Sequence, residues 1–243
     1  MTTRGPLGEV IAHCRHLLFD FDGPICSIFA GLPAPTIAVH LRELVLDRGI
    51  KLSAGAATSR DPFDVLRFAA TISPELTREV NDELRTMEVR AAESATATPH
   101  VRQVIQTAHE DGRSIAAVSN NSCQAVTHYL TVNDLAPYFT AIVGRTDPDP
   151  RLLKPHPELI NRAVRGLAAD PAECVLIGDS LSDIEGARHA GTLSIGYANK
   201  PGKHERFTTA GADAIITDMA ELLPHLSEHQ AADPNAADGR RRR

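Results

Sequence analysis

Two aspartates one residue apart, Asp20 and Asp22, follow the apolar run Leu17-Leu18-Phe19 and precede the turn pair Gly23-Pro24. Carboxylates this close repel one another, so a cation is the expected third member. With only oxygen ligands nearby and no clustered His or Cys, that cation should be hard, and Mg²⁺ is the first candidate. Farther along, Ser119 and Asn120 follow an apolar run, Lys154 stands ahead of Pro155, and Gly178-Asp179-Ser180 closes Cys174-Val175-Leu176-Ile177. Asp183 lies four residues beyond Asp179, so both carboxylates can share one helix-start face and one ion. Several acids, one lysine and one hydroxyl suit a metal holding a phosphoryl group. A carboxylate can attack phosphorus, giving an aspartyl phosphate from which water then releases phosphate.

These residues need elements that bring them together. The stretch from Leu17, stopped by Gly23-Pro24, reads as a buried strand carrying Asp20 and Asp22 on its carboxyl end, and residues 1–15 as an arm leading to it. Ile37, Leu41, Leu44 and Val45 repeat at helical spacing, and Gly49 is a stop. Asp61-Pro62 and Ser73-Pro74 are helix starts, the second opening a long helix with the apolar face Leu76, Val80, Leu84 and Met87. Residues 27–97 are thus a helical insert. From Thr98 onward, helices alternate with short apolar runs at residues 114–118, 141–143, 174–177, 193–196 and 214–216, with a last helix near Met219 to Leu226. That alternation predicts an α/β fold: a Rossmann-like doubly wound parallel sheet formed by residues 1–26 and 98–230, with 27–97 inserted. In such a sheet the carboxyl ends of the strands converge on one crevice, which collects Asp20, Asp22, Ser119, Asn120 and Asp179.

Composition narrows the function classes. The chain has 243 residues, 42% hydrophobic and 23% charged, ordinary for a water-soluble globular protein. Its formal charge of −6 becomes more negative once Arg240 to Arg243 are set aside, which argues against a nucleic-acid partner. No apolar run has the length of a membrane helix and the start lacks a signal-peptide order, so no membrane partner and a cytoplasmic location are expected. Cys14, Cys26, Cys123 and Cys174 form no Cys-x-x-Cys pair, which argues for reduced, mostly buried thiols and against a zinc site. The segment 231–243 has no large apolar residue and is expected to be disordered. Oligomeric state is not set by the sequence.

The order Asp20-x-Asp22-Gly, Ser119 after an apolar strand, Lys154-Pro155 and Gly178-Asp179-Ser180-x-x-Asp183 resembles the haloacid dehalogenase superfamily of phosphohydrolases. The insert directly after the first motif is similar to the helical cap of its phosphoglycolate phosphatase and β-phosphoglucomutase branches. The resemblance implies a Mg²⁺-dependent phosphatase acting on a small-molecule phosphate monoester through an aspartyl phosphate. It makes Asp20 the nucleophile and Asp22 the general acid and then base. Ser119 and the Asn120 backbone hold phosphoryl oxygens, beside Gly23, and Lys154 neutralises the charge Asp20 shares with phosphate. Asp20, the Asp22 carbonyl, Asp179 and Asp183 are the implied metal set, Asp183 directly or through a neighbour. The second acid, Asp22, points to phosphate chemistry rather than carbon–halogen cleavage. Pro24 stands where Thr or Val is commoner in the family, so contacts from that N–H or hydroxyl are missing.

Simpler readings accompany each residue. An Asp-x-Asp at a strand end also serves as a turn, Ser122 or Asn121 can cap the next helix, and Asp183 can merely favour a helix N-terminus. Cys26 and Cys123 fall near strand ends and read as packing residues. Of Arg42, Lys51, Arg60 and Arg67 in the insert, Arg60 is the candidate substrate contact because it directly precedes Asp61-Pro62. His156, near Lys154, reads as a helix-start residue. A phosphomutase of the same fold, or a phosphoryl-accepting signalling module, remains open on the motifs. The leaving alcohol depends on the insert, which carries no recognisable code.

Overall fold

A computed structural model of the chain describes residues 6–226. The expected disordered tail 231–243, with its terminal arginines, lies outside the described residues, as do the last few residues of the expected core. In chain order the elements are α1 (Pro6–His13), β1 (His16–Phe19), β2 (Cys26–Ser27), α2 (Ala34–Asp47), α3 (Ala54–Thr58), α4 (Pro62–Ala70), α5 (Pro74–Glu93) and β3 (Thr96–Ala97). They continue with α6 (Val101–Glu110), β4 (Ser114–Ser122), α7 (Cys123–Val132), β5 (Ala141–Arg145), α8 (Glu158–Gly166) and β6 (Cys174–Gly178). Last come α9 (Leu181–Ala190), β7 (Leu193–Tyr197), α10 (Lys203–Ala210), β8 (Ala214–Ile216) and α11 (Leu223–Leu226).

Six strands make one parallel sheet in the order β5-β4-β1-β6-β7-β8. The chain runs outward from β1 through β4 to β5, then returns to β6 on the other side of β1. The order therefore reverses between β1 and β6, where an open α/β sheet forms its crevice. Side chains alternate across the sheet, as strand geometry requires. Leu17, Phe19, Ile115, Ala117, Val175 and Ile177 pack with α1, α6 and α7, while Leu18, Ala116, Val118 and Leu176 pack with α8 and α9. The sheet is thus doubly wound, as the helix–strand alternation predicts.

The residues before β1 depart from the expected arm. Pro6–His13 is helical, with Val10 and Ile11 buried, and the buried Arg113 donates to the carbonyls of Ile11 and Cys14. Leu7, Val10, Ile11 and Cys14 carry helical spacing that is too short to stand out in sequence, and the helix forms because tertiary packing covers it.

Between β2 and β3 lies the insert. Its helices share an apolar cluster of their own, with Ile37, Leu41, Val45, Val65, Leu66, Val80 and Leu84 sealed. The sequence signals hold locally: Asp61 accepts from the Phe63 N–H, and Ser73 from the Leu76 N–H. The root of the insert is a two-residue antiparallel ribbon of β2 and β3, which is too short to show periodicity. Helix α5 crosses between the two clusters. Its first half packs into the insert, whereas Ala91 and Ala92 join the cluster beneath the sheet.

Candidate active site

Strand β1 ends at Phe19, so Asp20 and Asp22 stand beyond it in the turn rather than within the strand. Leaving the strand frees both from strict alternation. Asp20 is buried, and its Oδ1 accepts from the Phe21 N–H at 2.7 Å. Asp22 Oδ1 accepts from the Ile28 N–H at 3.1 Å. Burial pushes the Asp22 carboxyl up to about 6, with the Ile28 N–H opposing and Asp179 adding to the rise. A carboxyl in that range can both give and take a proton near neutrality.

Lys154, ahead of Pro155, lies in a loop whose fold brings its ammonium among the carboxylates. Nζ lies 2.8 Å from Asp20 and 2.6 Å from Asp183, and donates to the Val118 carbonyl at 3.2 Å. Burial alone would lower this lysine, but the Asp183 and Asp20 carboxylates outweigh it and hold it charged. Asp183 is fully buried: Oδ1 takes Lys154, and Oδ2 takes the Ser180 N–H and hydroxyl. It both closes the start of α9, as the helix-start reading expects, and fixes the lysine. The Lys154 loop is tied to β4 by the Lys154 N–H donating to Asn120 Oδ1 at 2.8 Å.

Carboxylate oxygens of Asp20, Asp179 and Asp183 lie within 4.8 Å of one another. Asp22 contributes no side-chain oxygen to that group, consistent with its carbonyl being the atom considered for the metal. Burial and the Asp183 charge push Asp20 well up, despite Lys154. Three carboxylates converge here against two ammonium groups, Lys154 beside Asp20 and Asp183 and Lys203 beside Asp179, and every carboxylate donor is a hard oxygen. The set therefore fits Mg²⁺.

Gly23 has a geometric reason to be glycine. Its φ is +113°, and a Cβ there would lie 2.4 Å from Asp179 Cγ. Gly23→Ala should strain the turn and displace Asp179, costing roughly 1–3 kcal/mol of stability and at least about tenfold in turnover. Thermal unfolding alongside activity checks both; unchanged turnover in a folded Gly23→Ala variant would contradict it.

Strand β4 is longer than the apolar run, extending through Ser119 to Ser122 with a register irregularity after Val118. Ser119 is buried; its hydroxyl donates to Asn121 Oδ1 at 3.1 Å and accepts from the Asn121 N–H at 3.0 Å. Ser122 caps α7 by accepting from the Ala125 N–H. Cys26 is buried, and burial pushes its thiol up, as a packing role requires. His156 accepts from the Glu158 N–H at the start of α8, which matches its helix-start reading.

Arg60 is exposed ahead of α4 and is not among the residues lining the cavity that opens on Asp22 and Asp179. Arg67 is engaged with Asp64, and Arg42 with the Ser59 carbonyl. The cavity, about 410 Å³, draws its positive charge instead from Lys200, beside Asn199, Thr98 and Ser27. Lys203 and Asn199 both donate to Asp179 Oδ2, at 2.5 and 3.3 Å. Asn199, Lys200 and Lys203 follow β7, and the carboxyl-end rule applied to that strand finds them.

A model of the "Haloacid dehalogenase-like hydrolase" family matches residues 56–197, so Asp20 and Asp22 lie outside the match. The phosphoglycolate phosphatase of Salmonella typhimurium is 31% identical over 136 residues, 56% of this chain and 53% of that enzyme. The chain thus spans about half the length of that relative. The phosphoglycolate phosphatase of Vibrio vulnificus strain YJ016 is 27% identical over 225 residues, 85% of this chain and 93% of that enzyme. Among solved structures, CbbY from Rhodobacter sphaeroides in complex with phosphate superposes with a TM-score of 0.62 at 21% identity, covering 88% of this chain and 99% of that one. Among the described residues, no helix is long and apolar enough to cross a membrane.

Proposed function

Since the chain belongs to the haloacid dehalogenase-like hydrolases, we propose that it is a Mg²⁺-dependent phosphatase of small-molecule phosphate monoesters working through an aspartyl phosphate on Asp20. The observation that carries the reading is Lys154, buried and charged between Asp20 and Asp183, with the second acid Asp22 held apart from that pair. Asp20, Asp179 and Asp183, with the Asp22 carbonyl, are the residues to hold Mg²⁺. When bound, the ion offsets negative charge on Asp20 and on the phosphoryl oxygens.

A free oxygen of Asp20 attacks phosphorus, the ester P–O bond breaks, and the leaving oxygen takes the Asp22 proton. Water then attacks the same phosphorus, giving a proton to Asp22 and returning the Asp20 carboxylate with free phosphate. The upward shift of Asp22 supports both halves, since a carboxyl titrating near 6 is available in either form. Lys154 remains a fixed positive charge beside Asp20 throughout. The Ser119 hydroxyl, its hydrogen turning from Asn121 Oδ1, and the Asn120 backbone bind phosphoryl oxygens. Residues 27–97 act as a cap over the cavity, limiting water until the leaving alcohol departs.

A phosphate-ester panel assayed with Mg²⁺, and again with excess chelator, tests the reading. Hydrolysis of at least one small monoester is expected, lost on chelation and restored by Mg²⁺. Undiminished turnover in chelator with no retained metal rejects the metal role, and inactivity across the panel rejects the phosphatase.

A further inference from the structure

Glu88 on α5 and Arg145 at the end of β5 form an ion pair at 2.7 Å, with side chains 0% and 1% exposed. Neither has a place in the chemistry above. Such a pair contributes little net stability compared with well-packed apolar residues, so clamping the insert to the sheet does not by itself require charges. Their other contacts show what the charges do. Glu88 Oε1 accepts from Asn121 Nδ2 at 3.2 Å, and Oε2 accepts from the Ser122 N–H at 2.8 Å. Arg145 Nε donates to the Asn120 carbonyl at 3.2 Å, Nη1 donates to Asn81 on α5, and the guanidinium lies 5.8 Å from the Phe63 ring centroid on α4.

A carboxylate only accepts, so Glu88 requires the NH₂ end of the Asn121 amide and turns its Oδ1 toward Ser119. That oxygen takes the Ser119 hydroxyl, while the Asn121 N–H fixes the Ser119 oxygen from the other side. Glu88 therefore fixes the Asn121 side chain that holds the Ser119 oxygen in place, from which the hydroxyl hydrogen turns to a phosphoryl oxygen on binding, and Arg145 holds the main chain at Asn120. Both restraints originate in, or are shared with, the inserted helix α5.

We propose that Glu88 and Arg145 are positioning residues for phosphoryl binding, coupling helix α5 of the insert to Ser119 and Asn120. This rests on the phosphatase reading for the group those residues meet. Because coupling is reciprocal, a phosphoryl group at Ser119 tightens the seating of α5, and loosening α5 weakens phosphoryl binding.

Two measurements test this on the Mg²⁺-supplemented full chain, using inorganic phosphate as the probe and needing no turnover. In the unaltered protein, saturating phosphate should slow amide hydrogen exchange across residues 81–92; unchanged exchange there, with phosphate bound, overturns the coupling. Glu88→Gln should weaken phosphate about tenfold, the effect of losing one charge-assisted hydrogen bond. The same factor should appear in kcat/KM for esters with good and poor leaving groups, since Ser119 addresses the phosphoryl group and not the leaving oxygen. The double variant Glu88→Gln, Arg145→Met removes both charges at similar volume and guards against simple misfolding. It should fold and still bind phosphate about tenfold more weakly. Unaltered phosphate affinity in either folded variant overturns the proposal, while failure of the unaltered protein to hydrolyse any ester strikes the phosphatase reading instead.

Discussion

Asp20→Asn is expected to leave a folded protein that forms no phosphoenzyme and turns over at background. The amide lacks the anionic oxygen that attacks phosphorus, and it weakens the carboxylate cluster shared with Asp179 and Asp183. The fold should survive, because Lys154 keeps its 2.6 Å pairing with Asp183 and its bond to the Val118 carbonyl. An amide oxygen can still accept from the Phe21 N–H as Asp20 does. Rapid acid quenching after mixing with a radiolabelled ester reads the result directly. Label retained at the parent level in the Asp20→Asn variant would remove Asp20 from the nucleophile's place and leave the reaction scheme without its first step.

Replacing the second acid should have a different signature. Asp22→Asn keeps size and can still accept from the Ile28 N–H, so Asp20 remains able to attack. What disappears is proton transfer, worth roughly 10²–10⁴-fold by general acid–base estimates. In a single turnover, alkyl esters should suffer that whole loss, because an alkoxide departs poorly without a proton. An activated aryl ester needs little protonation and should form phosphoenzyme at near the parent rate, then accumulate it, because water activation is impaired. Equal losses toward the two esters during phosphoenzyme formation would mean that Asp22 serves the site in another way.

The contrast between these acids was partly visible in the sequence, since one residue separates them and a turn pair follows. Their unequal surroundings were not. Asp20 is drawn in among Lys154, Asp179 and Asp183, while Asp22 faces the Ile28 N–H and the cavity. Similar limits apply elsewhere. Leu76, Val80, Leu84 and Met87 are buried as their spacing predicts, yet spacing did not show that the far end of the same helix enters the core under the sheet. Adjacency to a helix start, the signal at Arg60, is a local feature that says nothing of where α4 points. Lys200 and Lys203 follow β7, which carries no acid to mark its end as part of a site.

Sequence alone determined what depends on neighbours along the chain: the β1 run into Asp20 and Asp22, the caps at Asp61 and Ser73, and the helix–strand alternation that forces a parallel sheet. Once that sheet forms, the carboxyl ends must converge, so the order of the polar motifs already implied one crevice. Tertiary structure decided which groups meet inside it. Arg145 reaches Glu88 across 57 residues, and Lys154 reaches Asp183 across 29. It also decided how far burial shifts Asp22. The physical reason is that periodicity records which face of an element avoids water, whereas charge pairing and desolvation depend on the opposing element, which no local pattern identifies.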